Sequence, residues 1–221
     1  MAEWVTAPAI GIATRNGTAN HTISFTAAAA GNLLVAVVGA GVTNSMTTGG
    51  WTEQLQPVNN CELSVFTKYA SSGESSFVVN HNASNYPLAY CVMEFPSSCT
   101  YAGGTGSANV SAWPTLSGLS GRNTVIGVLV EAHSSGDPAY SATWSAPWTE
   151  LVDQETPFSS TDGVFMTLGY QDGYTSVTAQ PGETDSTNRT DERVVFAISS
   201  PLTVYEAGSA NSDATAMMGV R

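Results

Sequence analysis

The sequence predicts an all-β chain: a tandemly duplicated antiparallel sandwich, jelly-roll-like, with two similar halves. Three observations lead there. Apolar residues alternate with a period of two in many short runs, and helical periodicity is almost absent. Clusters of Gly, Ser, Asn and Pro punctuate those runs. The same series of blocks then occurs twice along the chain.

Taken in order, "HTISFTA" at 21–27 alternates. "NLLVAVVGAG" at 32–41 is a continuous apolar run ended by glycines, as a strand buried on both faces requires. "WTEQLQPV" at 51–58 reads as a strand with Trp51, Glu53 and Leu55 on one side. "CELSVFTKYA" at 61–70 turns Leu63, Val65, Thr67 and Tyr69 one way. "SSFVVNHN" and "LAYCVMEF" follow, separated by the turn clusters "SSGESS" and "NASNYP".

The second half repeats the order. "NTVIGVLVEA" at 123–132 answers the run at Asn32, and "WTELV" at 148–152 answers Trp51 onward. "GVFMTLGYQ" at 163–171, "TSVTAQ" at 175–180 and "ERVVFAISS" at 192–200 complete the series. Trp51 should therefore superpose on Trp148, and Tyr69 on Tyr170. Leu33, Val35, Val37, Val125, Val128 and Val130 should be buried. The halves are read as 1–110 and 111–203, each with five or six strands, with 204–221 as a C-terminal arm. A lone unit would expose an apolar face and two strand edges. Closely packed halves are expected, either as one pseudo-twofold jelly-roll-like sandwich or as two abutting ones.

Composition narrows the function. Of 221 residues 42% are hydrophobic, enough for a sizeable core, and only 11% are charged. Low charge with ordinary hydrophobicity is not the signature of disorder. Six basic residues and a net charge of −12 cannot form a phosphate-tracking stripe, so nucleic acid is not an expected partner, and neither is an anionic membrane. The longest apolar stretch, 27–42, is broken by Gly31-Asn32 and falls short of a membrane span. "MAEWVTAPAI" has neither a basic nor an apolar leader region, so synthesis in a cytoplasm is expected. Cys61, Cys91 and Cys99 read as small buried hydrophobes rather than a disulfide framework or a zinc site.

Chemistry is sparsely marked. His21, His81 and His133 are the available bases, but no Gly-x-Ser-x-Gly elbow accompanies them. Asp153 with Glu155, Glu183 with Asp185 and Asp191 with Glu192 are paired carboxylates, read as acidic side chains of solvated loops rather than a glycosidase pair. "PGETDSTNRTDE" at 181–192 could offer calcium its oxygen ligands, yet it lacks the spacing of a helix–loop–helix site. Trp51 and Trp148 could stack on sugars, although their equivalence argues for a shared packing role. No catalytic residue, metal or cofactor is expected.

Gly31-Asn32-Leu33-Leu34-Val35 followed by Gly50-Trp51-Thr52 resembles a recurrent β-sandwich module of tailed-bacteriophage virion proteins. Arg122-Asn123-Thr124-Val125-Ile126 and Pro147-Trp148-Thr149 carry the likeness in the second half. The resemblance implies a structural virion protein without enzymatic activity, made in the host cytoplasm. A capsid decoration protein bound to the major capsid protein and to its own copies, with a trimer as one arrangement, is the first expectation. A minor tail or receptor/carbohydrate-binding protein is the second, and a polysaccharide-degrading enzyme the third. Candidate assembly contacts are the apolar residues of the two ends: Trp4, Val5 and Ile10, and Met217, Met218 and Val220.

Overall fold

The computed structural model describes residues 4–13, 20–40, 44–56, 62–81, 87–108, 112–133, 142–155, 163–174, 178–179, 183–185 and 192–201. These residues are all-β, and no helix occurs among them. The first half contains β1 (Ala9–Ala13), β2 (Asn20–Ser24), β3 (Leu33–Ala40), β4 (Asn44–Met46), β5 (Thr52–Leu55), β6 (Glu62–Tyr69), β7 (Ser76–His81) and β8 (Leu88–Phe95). The second contains β9 (Thr100–Ala108), β10 (Leu116–Ser117), β11 (Arg122–His133), β12 (Ala142–Trp144), β13 (Thr149–Glu155), β14 (Gly163–Tyr174), β15 (Thr178–Ala179), β16 (Glu183–Asp185) and β17 (Glu192–Ser200).

Strand pairing in the first half is nested: β1 with β8, β2 with β7, β3 with β6, all antiparallel. This is the rolled-up arrangement of a jelly roll. It yields a five-stranded sheet, β1-β8-β3-β6-β5, and a three-stranded sheet, β2-β7-β4. The second half repeats it as β9-β17-β11-β14-β13, faced by the short pairs β10-β15 and β12-β16.

Each repeated unit is thus larger than the five or six strands read from the sequence, and the boundary lies earlier. β9 falls within the predicted first half, yet it pairs with β17. The predicted break at 110/111 moves to the turn between Phe95 and Thr100. "TYAGGTGSA" is rich in Gly and so carries a loop signature. Its lack of apolar alternation suits an edge strand, which has only one hydrogen-bonded neighbour in its sheet.

The two five-stranded sheets pack face to face, which places two abutting sandwiches around one shared core. Leu33, Val35, Val37, Leu63 and Val65 meet Val128, Val130, Met166, Leu168 and Phe196 there. The alternate residues of the same strands face outward. Ala36, Val38 and Phe66 pack on Ile23, Phe77 and Val79 of the first small sheet. Val125, Leu129 and Val195 pack under Trp113, Trp144 and Trp148. Every residue of β3 is consequently buried, and so are Val125, Val128 and Val130, as the continuous runs require.

Register fixes the equivalence of the halves residue by residue. Leu55 pairs with Val65, which pairs with Val37; Val152 pairs with Leu168, which pairs with Val128. Asn32 is thereby the counterpart of Asn123, and Trp51 that of Trp148, the two tryptophans each lying one residue ahead of its strand. A bulge is duplicated as well, falling between Glu53 and Leu55 and between Glu150 and Val152. It turns Gln54 and Leu55 toward the shared core, and likewise Leu151 and Val152. Trp51 consequently lies on the outer face against Phe77, not on the side of Leu55 as simple alternation predicts. Tyr69 and Tyr170 lie on equivalent strands but two residues out of step. The counterpart of Tyr170 is Thr67, since Thr149 pairs with Tyr170 and Thr52 with Thr67.

Candidate functional site

The N-terminal candidates for assembly contacts are largely used inside the chain. The Trp4 ring meets Tyr170 at 4.7 Å and Phe95 at 6.3 Å, both edge-on. Ile10, in β1, faces the shared core. Trp4 and Ile10 therefore bridge the two halves, a packing role that the period of the sequence alone cannot separate from an intermolecular one. Val5 is different: it is 51% exposed, with its backbone N–H donated to the Glu94 carbonyl. Met217, Met218 and Val220 lie outside the described residues.

The titratable candidates are dispersed over the fold. His21 is buried in β2, pointing inward beside Ile23. His81 ends β7 and His133 ends β11, in different halves. Among the described residues, no group of three His, Cys, Asp or Glu could hold a metal ion. Of the 181–192 stretch only Glu183–Asp185 and Glu192 are described. Glu183 and Asp185 lie in β16 rather than in a loop. Asp153 and Glu155 sit in β13 beside the exposed Glu150, whose carboxyl is pushed up by desolvation and by the Asp153 charge.

Glu192 corrects the reading of solvated acidic loops. It is buried, and its Oε2 accepts the Leu63 N–H at 2.7 Å, tying β17 to β6 across the shared core. Glu94 is a second buried carboxylate, accepting from the Ala29 N–H and the Asn32 amide through Oε1 and from the Thr6 hydroxyl through Oε2. It pins the N-terminal stretch to the turn ahead of β3. Both lie in apolar alternating runs, where a charged residue facing inward is the one available signal. Cys91 and Cys99 are buried thiols, as expected, and burial pushes Cys91 up to about 12; Cys61 lies outside the described residues. Trp51 and Trp148 serve outer-face packing, Trp51 against Phe77 and Trp148 tilted against Trp144 at 5.7 Å, the shared role their equivalence argued for.

An open groove lies at the margin of the shared core. Along β6 the inward residues run Leu63, Val65, Thr67, Tyr69: two in the core, one polar and buried, and the last 50% exposed. Tyr69 and Val5 are the exposed large hydrophobics among the described residues. Beyond Val65 the two sheets leave a groove of about 300 Å³, walled by Thr52, Gln54, Thr67 and Tyr69 from the first half. Thr100 and Tyr101, at the start of β9, close its other side. The Tyr69 hydroxyl donates to the Cys99 carbonyl at 3.1 Å, and Gln54 Nε2 donates to Thr67 Oγ1 at 2.7 Å, so ring and amide are both held in place. Among the described residues, no carboxylate lines the groove. Lys68 also lines it, with its ammonium bound to Glu74 at 2.7 Å and to the Gly49 carbonyl. The corresponding place in the second half is filled: Tyr170 stands where Thr67 stands, and Trp4 covers it.

Comparison of the chain with protein-family models, with curated proteins and with solved structures returns no match.

Proposed function

We propose that this chain is a structural protein of a tailed-phage particle, a decoration protein that binds the head lattice through the major capsid protein and copies of itself. The observation that carries this reading is the placement of the two resembling blocks. Gly31–Val35 enters β3 and Gly50–Thr52 enters β5; Arg122–Ile126 and Pro147–Thr149 enter the equivalent β11 and β13. The likeness to virion modules thus falls on matching strands of both sandwiches rather than on scattered resemblances.

Physical character supports the same role. Two sandwiches sharing a buried core resist local opening. An acidic surface does not compete for a packaged genome. Open sheet edges and the half-exposed Val5 are surfaces that a lattice contact could cover. Immunogold labelling of phage particles purified from cells that produce this chain tests the proposal: label on the head supports it, and particles without label overturn it.

The groove at Tyr69 favours one second reading, a minor tail or receptor-binding protein, for which the label falls on the tail. A polysaccharide-degrading enzyme would need two carboxyls flanking its cleft, and none lines this one among the described residues.

A further inference from the structure

We infer that the groove between β5–β6 and the start of β9 binds a neutral oligosaccharide, gripping a short stretch of a longer glycan. The inference goes beyond a place in the particle and does not depend on it.

The groove has the two kinds of surface a sugar needs. A pyranose presents C–H faces and a rim of hydroxyls, so its site must offer an apolar face and polar edges together. Tyr69 supplies the face. Half its surface is open, and its hydroxyl is tied to the Cys99 carbonyl, so the ring loses little freedom on binding. Thr52 and Thr100 supply exposed hydroxyls, each able to donate and accept. Gln54 adds an amide held in orientation by Thr67.

Charge selects the class of glycan. Among the described residues the walls contain no acidic side chain, and Lys68 has its ammonium engaged by Glu74. The chain as a whole carries a net charge of −12, which repels uronic-acid or sulfated polymers. A volume of about 300 Å³ is at the small end for ligand sites, and the groove is open, so it suits part of a polymer better than an enclosed small molecule. Without a carboxylate pair the ligand is held and not hydrolysed.

The duplication provides an internal control. Under the pseudo-twofold relation the second half has the same margin, but Tyr170 and Trp4 fill it with packed aromatic rings. At the first margin the counterpart of Tyr170 is the small, polar Thr67, and the aromatic ring moves two residues on, to an exposed position. The open site therefore reflects particular residues at one end and is not a general consequence of the fold.

Calorimetric titration of the full chain with hexasaccharides of glucose (α- and β-linked), mannose and N-acetylglucosamine tests the inference, with oligogalacturonate as the anionic comparison. At least one neutral hexasaccharide is expected to bind with a dissociation constant of about 1 mM or below. Tyr69→Ala should weaken that binding about tenfold or more, and Tyr69→Phe should retain most of it. Thr52→Arg, at an exposed position, should block the groove without lowering the melting temperature. Absence of binding by every neutral hexasaccharide overturns the inference. So does undiminished binding by a folded Tyr69→Ala chain, or tighter binding of oligogalacturonate than of any neutral sugar.

Discussion

Gly39 and Val130 occupy the same position in their respective halves, and they touch each other. A Cβ placed on Gly39 would lie 2.5 Å from Val130 Cγ2. Both lie two residues beyond the matched pair Val37 and Val128, on the central strands β3 and β11. Counterparts meet only where a twofold axis passes, so the approximate axis relating the sandwiches runs between these strands. Other contacts across the joint obey the same symmetry: β1 meets β13 as β9 meets β5, and β8 meets β14 as β17 meets β6. The joint is built like an isologous dimer interface, with one difference a fused chain allows. Its two axial positions can differ, and here a large residue faces none.

Gly39→Val should accordingly overpack the joint and destabilise the chain by about 1–3 kcal/mol. The exchange Gly39→Val with Val130→Gly should recover much of that loss, because the pair then refills the same volume with its roles reversed. Chemical denaturation of the single and double variants measures the coupling; strict additivity would show that the two positions do not share a site.

Glu192→Ala should cost about 1–3 kcal/mol, because it leaves the Leu63 N–H buried without its acceptor. Glu192→Gln, which keeps an acceptor oxygen, should cost less. Equal losses for both variants would mean that packing, not the hydrogen bond, sets the effect.

Sequence and structure agree where burial is two-sided and part company where register decides. β3 and β11 were legible because "LLVAVVGA" and "TVIGVLV" leave no solvent-facing position, and the paired Trp51 and Trp148 announced the repeat. The match of Tyr69 with Tyr170 failed for a physical reason. Both end an apolar alternation, but β14 runs on to Tyr174 while β6 stops at Tyr69, and cross-strand pairing, not residue type, sets equivalence. β9 was hidden by its glycines, and the duplicated bulge by the period of two that it breaks. The groove escaped altogether. It joins residues of β5 and β6 to Thr100 and Tyr101, and Tyr69 continues an alternation that reads as core until the covering sheet is seen to end.

Thiol reactivity gives an independent check on the shared core. Burial pushes Cys91 up to about 12 and Cys99 is also buried, so neither should react with a thiol reagent in native protein at pH 8. Both should react once the chain is unfolded. Rapid native modification at Cys91, located by peptide mapping, would place that strand at the surface.

Glu150 predicts a small pH effect with a definite sign. Its carboxyl is raised in the folded chain, by desolvation first and then by Asp153. A raised carboxyl favours folding while protonated, and that contribution is lost as pH rises through its folded value. Glu150→Gln should therefore melt no lower than the parent at pH 7, with any gain vanishing below the carboxylate range and the part due to Asp153 shrinking at high salt. A lower melting temperature at pH 7 would reverse the sign.

Differential scanning calorimetry of the intact chain tests most directly the central claim, that two jelly-roll sandwiches are locked into one unit by a common core. Leu33, Val35 and Val37 of the first half share that core with Val128, Val130 and Phe196 of the second, so neither half can unfold without exposing the other. The account predicts one transition whose calorimetric and van't Hoff enthalpies agree, shifted as a whole by Gly39→Val. Two separable transitions, with Gly39→Val moving only one of them, would contradict it.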